Sequence, residues 1–473
     1  MRFTKFGKTL LMGALSAGVV FGVTSCVESY TVGYLYVTGT VTASSGNNGV
    51  ISGYKIDHNT GKLAPINGMP VSSGGSNPVR AILTSGSRYV YVLNRGVNKE
   101  GNGNCTSADP CLDPNITQFE VGGNGILTNQ ETFTAVGVNP FRLIADSSGS
   151  YLMVLDHDAA DSNTYTGLNT ATNSCTAALG SGNTSCGDVM VFQINQTTGR
   201  LSAVQNTAVT QANCPTSLIP CPLTYFPVPG SPVDFVLAGG SNVLTLSSQV
   251  VPTSYPYTGG SSVWPYAYAS SSGQLTITSN SSQTFGISQG TAIINANSQI
   301  FILDNEPITA EYSCQTGQTC SPTPYQSQIL PFSVGTGGNL SALTGGIIPD
   351  YQTLANPIQL MIESKGTYMY VANQGNNTTG NNNPQGNIAA YEIHSSPYQT
   401  TFVTGQPFGS GSGPQCIVED PSDQFIYEAN QYDSTVTGRV LDPNSGVLDN
   451  MRVTSTYTLS GPATWCLIDG RTG

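Results

Sequence analysis

"YVYVLN", Tyr89 to Asn94, alternates large apolar residues and stops on an Asn. Nearly the same word stands at Tyr34 ("YLYVTG"), Tyr151 ("YLMVLD"), Val243 ("VLTLSS"), Ile300 ("IFILDN"), Tyr368 ("YMYVAN") and Phe425 ("FIYEAN"). Seven copies at a period of about sixty residues plus insertions form an internal repeat, and a repeat of that length sets the architecture. Each copy is followed by an alternating segment and a turn, as in "ISGYKIDHNTGKL", "ITQFEVGGNGIL" and "VMVFQINQTTGRL". That is the pattern of a hairpin whose turn needs a residue tolerant of positive φ. The sixth copy, "IAAYEIHSSPYQT", keeps the strand and loses the turn glycine. A Pro-led apolar word precedes most copies ("NPVRAIL", "NPFRLIA", "SPVDFVL", "NPIQLMI", "GPQCIVE") and "GPATWCL" stands near the end; the unit between Val243 and Ile300 has "QGTAIIN" instead.

One unit is therefore four strands: a (Pro-led), b (the opening word), c and d. Four antiparallel strands repeated seven times predict an all-β chain, a seven-bladed β-propeller. The chain enters on strand b at Tyr34 and ends on a strand a, Ala463 to Asp469. The C-terminal strand is thus expected to complete the N-terminal blade and close the ring, which removes the open edges that invite aggregation. A row of immunoglobulin-like sandwiches would need roughly 100 residues per domain and a different strand count. The expected organisation is a leader over 1–26, a short linker over 27–33 and a single propeller domain over 34–473.

The leader follows from Arg2, Lys5 and Lys8 ahead of the apolar run "LLMGALSAGVVFGV", which ends in "VTSC" at Cys26. This is the order of a secretory signal peptide, and its small-residue end resembles the bacterial lipobox, in which the Cys is lipidated. The expectation is an exported monomer, lipid-anchored through Cys26 to the cell envelope on its periplasmic or surface side. Only 9% of the chain is charged, and its 15 Lys and Arg stand singly within a net charge of −12. Nucleic acid and anionic lipid headgroups are poor partners for such a surface. Cysteine usage agrees with export. Cys105/Cys111, Cys175/Cys186, Cys214/Cys221 and Cys314/Cys320 fall in close pairs within polar loops, without the C-x₂-C spacing or nearby His of a metal site. They are expected to be small-loop disulfides. Cys416 and Cys466 sit in adjacent strands a and are either a disulfide that fastens the ring or two buried thiols.

The "YVYVLN" word with "NP" ahead of it and "TGKL" behind resembles the bacterial lactonase-type seven-bladed propellers, whose best-known members are 6-phosphogluconolactonases, and the related YVTN-repeat surface proteins. The resemblance covers the chain from Tyr34 onward. It implies a hydrolase of a sugar lactone or similar small ester. In lactonase-like members an Arg-His pair usually follows the strand-a Pro, and a Glu follows the Asn that closes strand b. Here Phe141-Arg142 stands where the pair would be, and only "LDNE", Leu303 to Glu306, keeps the second ending. The family's usual site is therefore altered at best.

Insertions concentrate in the b–c and d–a connections, while the a–b links are short turns, so one face is elaborated and function is expected there. Two residues after each strand-a Pro stand Arg80, Arg142, Asp234, Gln359, Cys416 and Thr464, a slot expected to line the channel mouth. The ends of strand b, Asn94, Arg95, Asp156, His157, Asp158, Asp304, Glu306, Asn373 and Asn430, are expected to complete a mixed-charge funnel. In the catalytic reading, Arg80 and Arg142 neutralise a carboxylate or developing oxyanion, with Gln359 beside them. Asp234, His157 or Glu306 then deprotonates a water that attacks a lactone carbonyl. In the other reading the same residues are satisfied ion pairs, and the propeller binds a glycan or envelope protein without catalysis. No cofactor is expected. Asp156, Asp158 and Asp161, with Asp304, carry oxygen donors but lack the Gly-centred spacing of a calcium loop, so solvated loop acids are expected and no metal. His58 and His394 fall in c–d turns, and Trp465 is expected to serve blade packing.

Overall fold

The computed structural model describes residues 30–43, 46–84, 88–101, 105, 109–134, 136–159, 175, 178–180, 186–210, 222–248, 261–279, 283, 290–296, 298–307, 325–343, 348–349, 356–375, 385–395 and 398–470. Their strands form seven four-stranded antiparallel sheets in the order a-b-c-d. In the first blade these are Pro78–Leu83, Tyr89–Asn94, Asn115–Val121 and Leu127–Phe133. All seven copies of the opening word are strands b, including those at Val243, Ile300 and Phe425. In the seventh blade, Ala463–Asp469 pairs with Thr31–Ala43, so the end of the chain completes the sheet that its beginning opened. The seven strands a touch one another in cyclic order, which closes the ring around a channel.

Period-two alternation does the packing. Tyr34 and Tyr36 face one neighbouring blade while Leu35 and Val37 face the other, and each of the seven blade-to-blade interfaces holds its own buried cluster. Strand b is buried on both faces, which is why its word is apolar throughout.

The d–a connections do more than connect. Val71–Ser76, Phe226–Pro229, Ile348–Pro349, Phe408–Ser412 and Thr456–Thr458 each add a short fifth strand along strand c, beyond the four strands read from the repeat. Several strands a are then entered through a left-handed residue: Asn77 (φ 50°), Ser231 (56°), Asn356 (56°) and Gly413 (68°). Asn and Gly are the residues that reach that region most readily, which accounts for "NP" and "GP" ahead of the strand.

Three disulfides are present among the described residues: Cys105–Cys111, Cys175–Cys186 and Cys416–Cys466, with Cα separations of 5.2, 5.6 and 5.8 Å. The last ties the strands a of the sixth and seventh blades together. Such bonds belong to an oxidising, non-cytoplasmic compartment. Cys26, Cys214, Cys221, Cys314 and Cys320 lie outside the described residues. Among those described, no helix is long and apolar enough to cross a membrane.

Candidate functional site

Every strand a begins with a bulge. Pro78 pairs with Asn94 and Arg80 with Leu93, leaving Val79 unpaired, and the same skip recurs in the other six blades. A bulge re-aims the side chain that follows it. The residues after the skip form one ring: Arg80, Arg142, Asp234, Ala292, Gln359, Cys416 and Trp465. The register corrects one expectation, because in the closing strand Ala463 pairs with Gly39 and Trp465 with Thr38. Thr464 is the bulged residue, and Trp465 takes the slot rather than serving blade packing alone.

Arg80, Arg142, Asp234, Gln359 and Trp465 line a single cavity of about 460 Å³. Cys416, fully buried, is spent on its disulfide. Arg142 Nε lies 3.3 Å from Asp234 Oδ1 in an ion pair, and Arg142 Nη1 donates to Phe141 O at 3.3 Å. The other Asp234 oxygen accepts the Ile293 N–H of the next blade at 3.1 Å. Gln359 Oε1 accepts the Ile417 N–H in the same way at 2.8 Å. Both slot residues thus clamp adjacent inner strands while facing the channel.

The Arg80 guanidinium stacks on Trp465, its Cζ 3.5 Å from the ring centroid. Among the described residues no carboxylate lies within ion-pairing distance of it. Its place deep in the channel, and then the neighbouring Arg142, pull its pKa down to about 9, with Asp234 acting the other way. It remains a cation at neutral pH.

The cavity runs from this ring along the strands a, past Ile82, Ile144, Val236 and Ile294, to Asp146 and Asn295 where the a–b turns begin. It therefore lies between the slot ring and the short turns, and its lining does not include the strand-b ends. The expected funnel of those ends is corrected as well. Asn94, Asp156, Asp304, Asn373 and Asn430 are fully buried. Asn94 donates to Ser73 O and Asn115 Oδ1, and Asp156 accepts the N–H groups of Val138, Asn139 and Asp158. Asp304 accepts Gln328 Nε2, Asn373 donates to Asn387, and Asn430 donates to Thr437. Most of these bonds run to strand c or to the d–a segment. Burial pushes the Asp156 carboxyl up to about 7 against the pull of its three N–H donors, so it is a buried staple rather than a solvated loop acid. No group of three or more His, Cys, Asp or Glu placed to hold a metal occurs among the described residues.

His157 is not part of the cavity lining. Its ring stacks on Phe141 at 3.5 Å, and burial, then Arg95 and Arg142, lower its pKa to about 3. At neutral pH it is an uncharged imidazole of low basicity. Arg95 donates to Asn139 Oδ1 at 2.6 and 2.9 Å, and Asn139 Nδ2 reaches Asp158 at 3.2 Å. Glu306 is paired with Gln326 near the end of its strand b; its side chain lies outside the described set.

Seven blades, strand-a slots and a ring closed by the last strand are the marks of one known architecture. Residues 339–464 match the family described as lactonase, seven-bladed β-propeller. In fold the described residues form a seven-bladed β-propeller. The periplasmic gluconolactonase of Pseudomonas aeruginosa superposes with a TM-score of 0.59 at 15% identity, over 92% of this chain and 99% of its own. A Bacteroides uniformis protein provisionally assigned as a 6-phosphogluconolactonase gives 0.59 at 12% identity, over 92% and 99%. A Lactobacillus plantarum protein gives 0.56 at 13%, over the same shares. At these identities the likeness is one of fold. No curated protein sequence matches the chain.

Proposed function

We propose that this lactonase-type propeller is an exported hydrolase of a sugar lactone or similar small ester, anchored through Cys26, with its site in the central channel. The observation that carries the reading is the convergence of Arg80, Arg142 and Asp234 on one cavity of about 460 Å³. Arg80, without a carboxylate partner among the described residues, meets the lactone carbonyl and the negative charge that builds on its oxygen when water adds. Asp234, held by Arg142 and the Ile293 N–H, orients that water and takes its proton. The ring C–O bond then breaks, and the alkoxide leaves with a proton. Gln359 holds the far wall. The three disulfides support the exported setting, where an unphosphorylated lactone is the suitable substrate.

A second reading, a propeller that binds a glycan or envelope protein without catalysis, is favoured by one observation. Asp234 and Gln359 both spend an oxygen on a neighbouring backbone N–H, as purely structural clamps would. Hydrolysis of a panel of unphosphorylated lactones by the wild type and Arg142→Ala separates the two. Turnover that is lost in the variant supports the hydrolase; a wild type no faster than the spontaneous reaction contradicts it.

A further inference from the structure

Beyond the charged ring, the channel changes character. On a strand, the residue two places on shares the same face. Two places after Arg80, Arg142, Asp234 and Ala292 stand Ile82, Ile144, Val236 and Ile294, all lining the cavity and all only half-buried. Four β-branched aliphatics, each resting on an inter-blade cluster on one side and open to the channel on the other, form an apolar collar. Hydroxyl groups placed against it would give up water without gaining partners.

The polar end is unbalanced in the opposite sense. The slot ring holds two guanidiniums and one carboxylate, and that carboxylate is paired with Arg142. Asp146, the other acid in the lining, lies four residues along the strand and accepts the N–H groups of Ser150 and Tyr151. Arg80 is left with an aromatic face on one side. A guanidinium stacked on a ring keeps its in-plane N–H donors available, and their fork matches a planar carboxylate.

We infer that the channel is a binding site for a small apolar monocarboxylate, or the lactone of one, with its carboxylate or carbonyl end at Arg80 and its hydrocarbon body inside the Ile82–Ile144–Val236–Ile294 collar. This deepens the hydrolase reading by naming its substrate class as apolar rather than polyhydroxylated. Carboxylate binding itself stands without turnover. Cavities of this size commonly hold such ligands with a few polar groups fixing one end.

The chain has two tryptophans, so Trp264→Phe leaves Trp465, the ring under Arg80, as the only one. In that background the full chain is titrated with octanoate, gluconate and 1-octanol, following tryptophan emission. The expected result is saturable binding of octanoate, at least ten-fold tighter than gluconate or 1-octanol. Arg80→Gln should weaken octanoate at least ten-fold, and Ile144→Asn should narrow its margin over gluconate. Gluconate binding as tightly as octanoate, no saturation with octanoate, or indifference to Arg80→Gln would each overturn the inference. If Arg80→Gln does not fold, Ile144→Asn decides alone. Adding γ-octalactone and glucono-δ-lactone separates the claims: octanoate binding without turnover of either contradicts only the hydrolase, and turnover of the sugar lactone without octanoate binding contradicts only the apolar substrate class.

Discussion

The Tyr427 hydroxyl donates to the carbonyl of Gly61 at 2.7 Å, joining residues 366 apart in sequence across the seam where the chain ends meet. The bond is not peculiar to the seam. Tyr36 donates to Gly125 O, Tyr91 to Gly199 O and Tyr370 to Gly446 O, so the third residue of the opening word latches onto the c–d turn of the next blade. The first residue of the word covers the same glycine: a Cβ on Gly61 would lie 2.4 Å from Phe425, and one on Gly125 2.4 Å from Tyr34. In these four copies the word grips the neighbouring blade through its tyrosine. The copies "VLTLSS" and "IFILDN" have no Tyr at either position, and the turn that "IFILDN" faces, in "IAAYEIHSSPYQT", is the one without a glycine.

The latch predicts a ranking at the seam. Tyr427→Phe leaves a buried carbonyl without its donor and should cost about 1 kcal/mol. Gly61→Ala adds a Cβ against Phe425 at φ +66° and should cost roughly 2 kcal/mol or more. Denaturant unfolding midpoints check this; Gly61→Ala as stable as the wild type would contradict it.

Disulfide removal should depend on the loop each bond closes. Chain entropy gives about 4 kcal/mol for the Cys416–Cys466 bond, which spans 50 residues, and about 2 kcal/mol for Cys105–Cys111, which spans 6. Paired Cys→Ala variants compared by urea unfolding test the order, and equal losses would sink it.

Glu428 supplies a pH signature. It replaces the Val of "YVYVLN" inside the sixth blade, 1% exposed, and burial pushes its pKa up to about 8 despite the Gly411 N–H. The folded state therefore holds a proton that the unfolded chain releases near its ordinary value of 4.5. Stability attributable to this group is present below that value and is lost as pH rises towards 8. Glu428→Gln should match the wild type near pH 5 and exceed it by roughly 1–3 kcal/mol at pH 8. Melting temperatures at the two pH values decide, and a gap that does not widen with pH would refute the assignment.

The ring was legible because strand b is buried on both faces and cannot vary freely, so its word survives seven times. The slot at Arg80, Arg142, Asp234 and Gln359 was legible from the Pro two places earlier. Trp465 was missed because in the closing strand the bulge falls one residue later relative to the Pro than in the other Pro-led strands, and only the Gly39 and Thr38 pairings reveal that Thr464 is the one skipped. The strand-b ends were misplaced because Asn and Asp at a strand terminus suggest solvent, whereas most of these side chains bond strand c or the d–a segment. Nothing local in Asn94 or Asp156 announces that partner.

Asp234→Asn tests the catalytic account most directly. The amide keeps an oxygen for the Ile293 N–H, so the clamp persists while the carboxylate that pairs with Arg142 and activates water is gone. The account predicts a fall in kcat/KM of at least about a hundred-fold for the best lactone, at an unfolding midpoint close to wild type. Unchanged kcat/KM in the folded variant would contradict it.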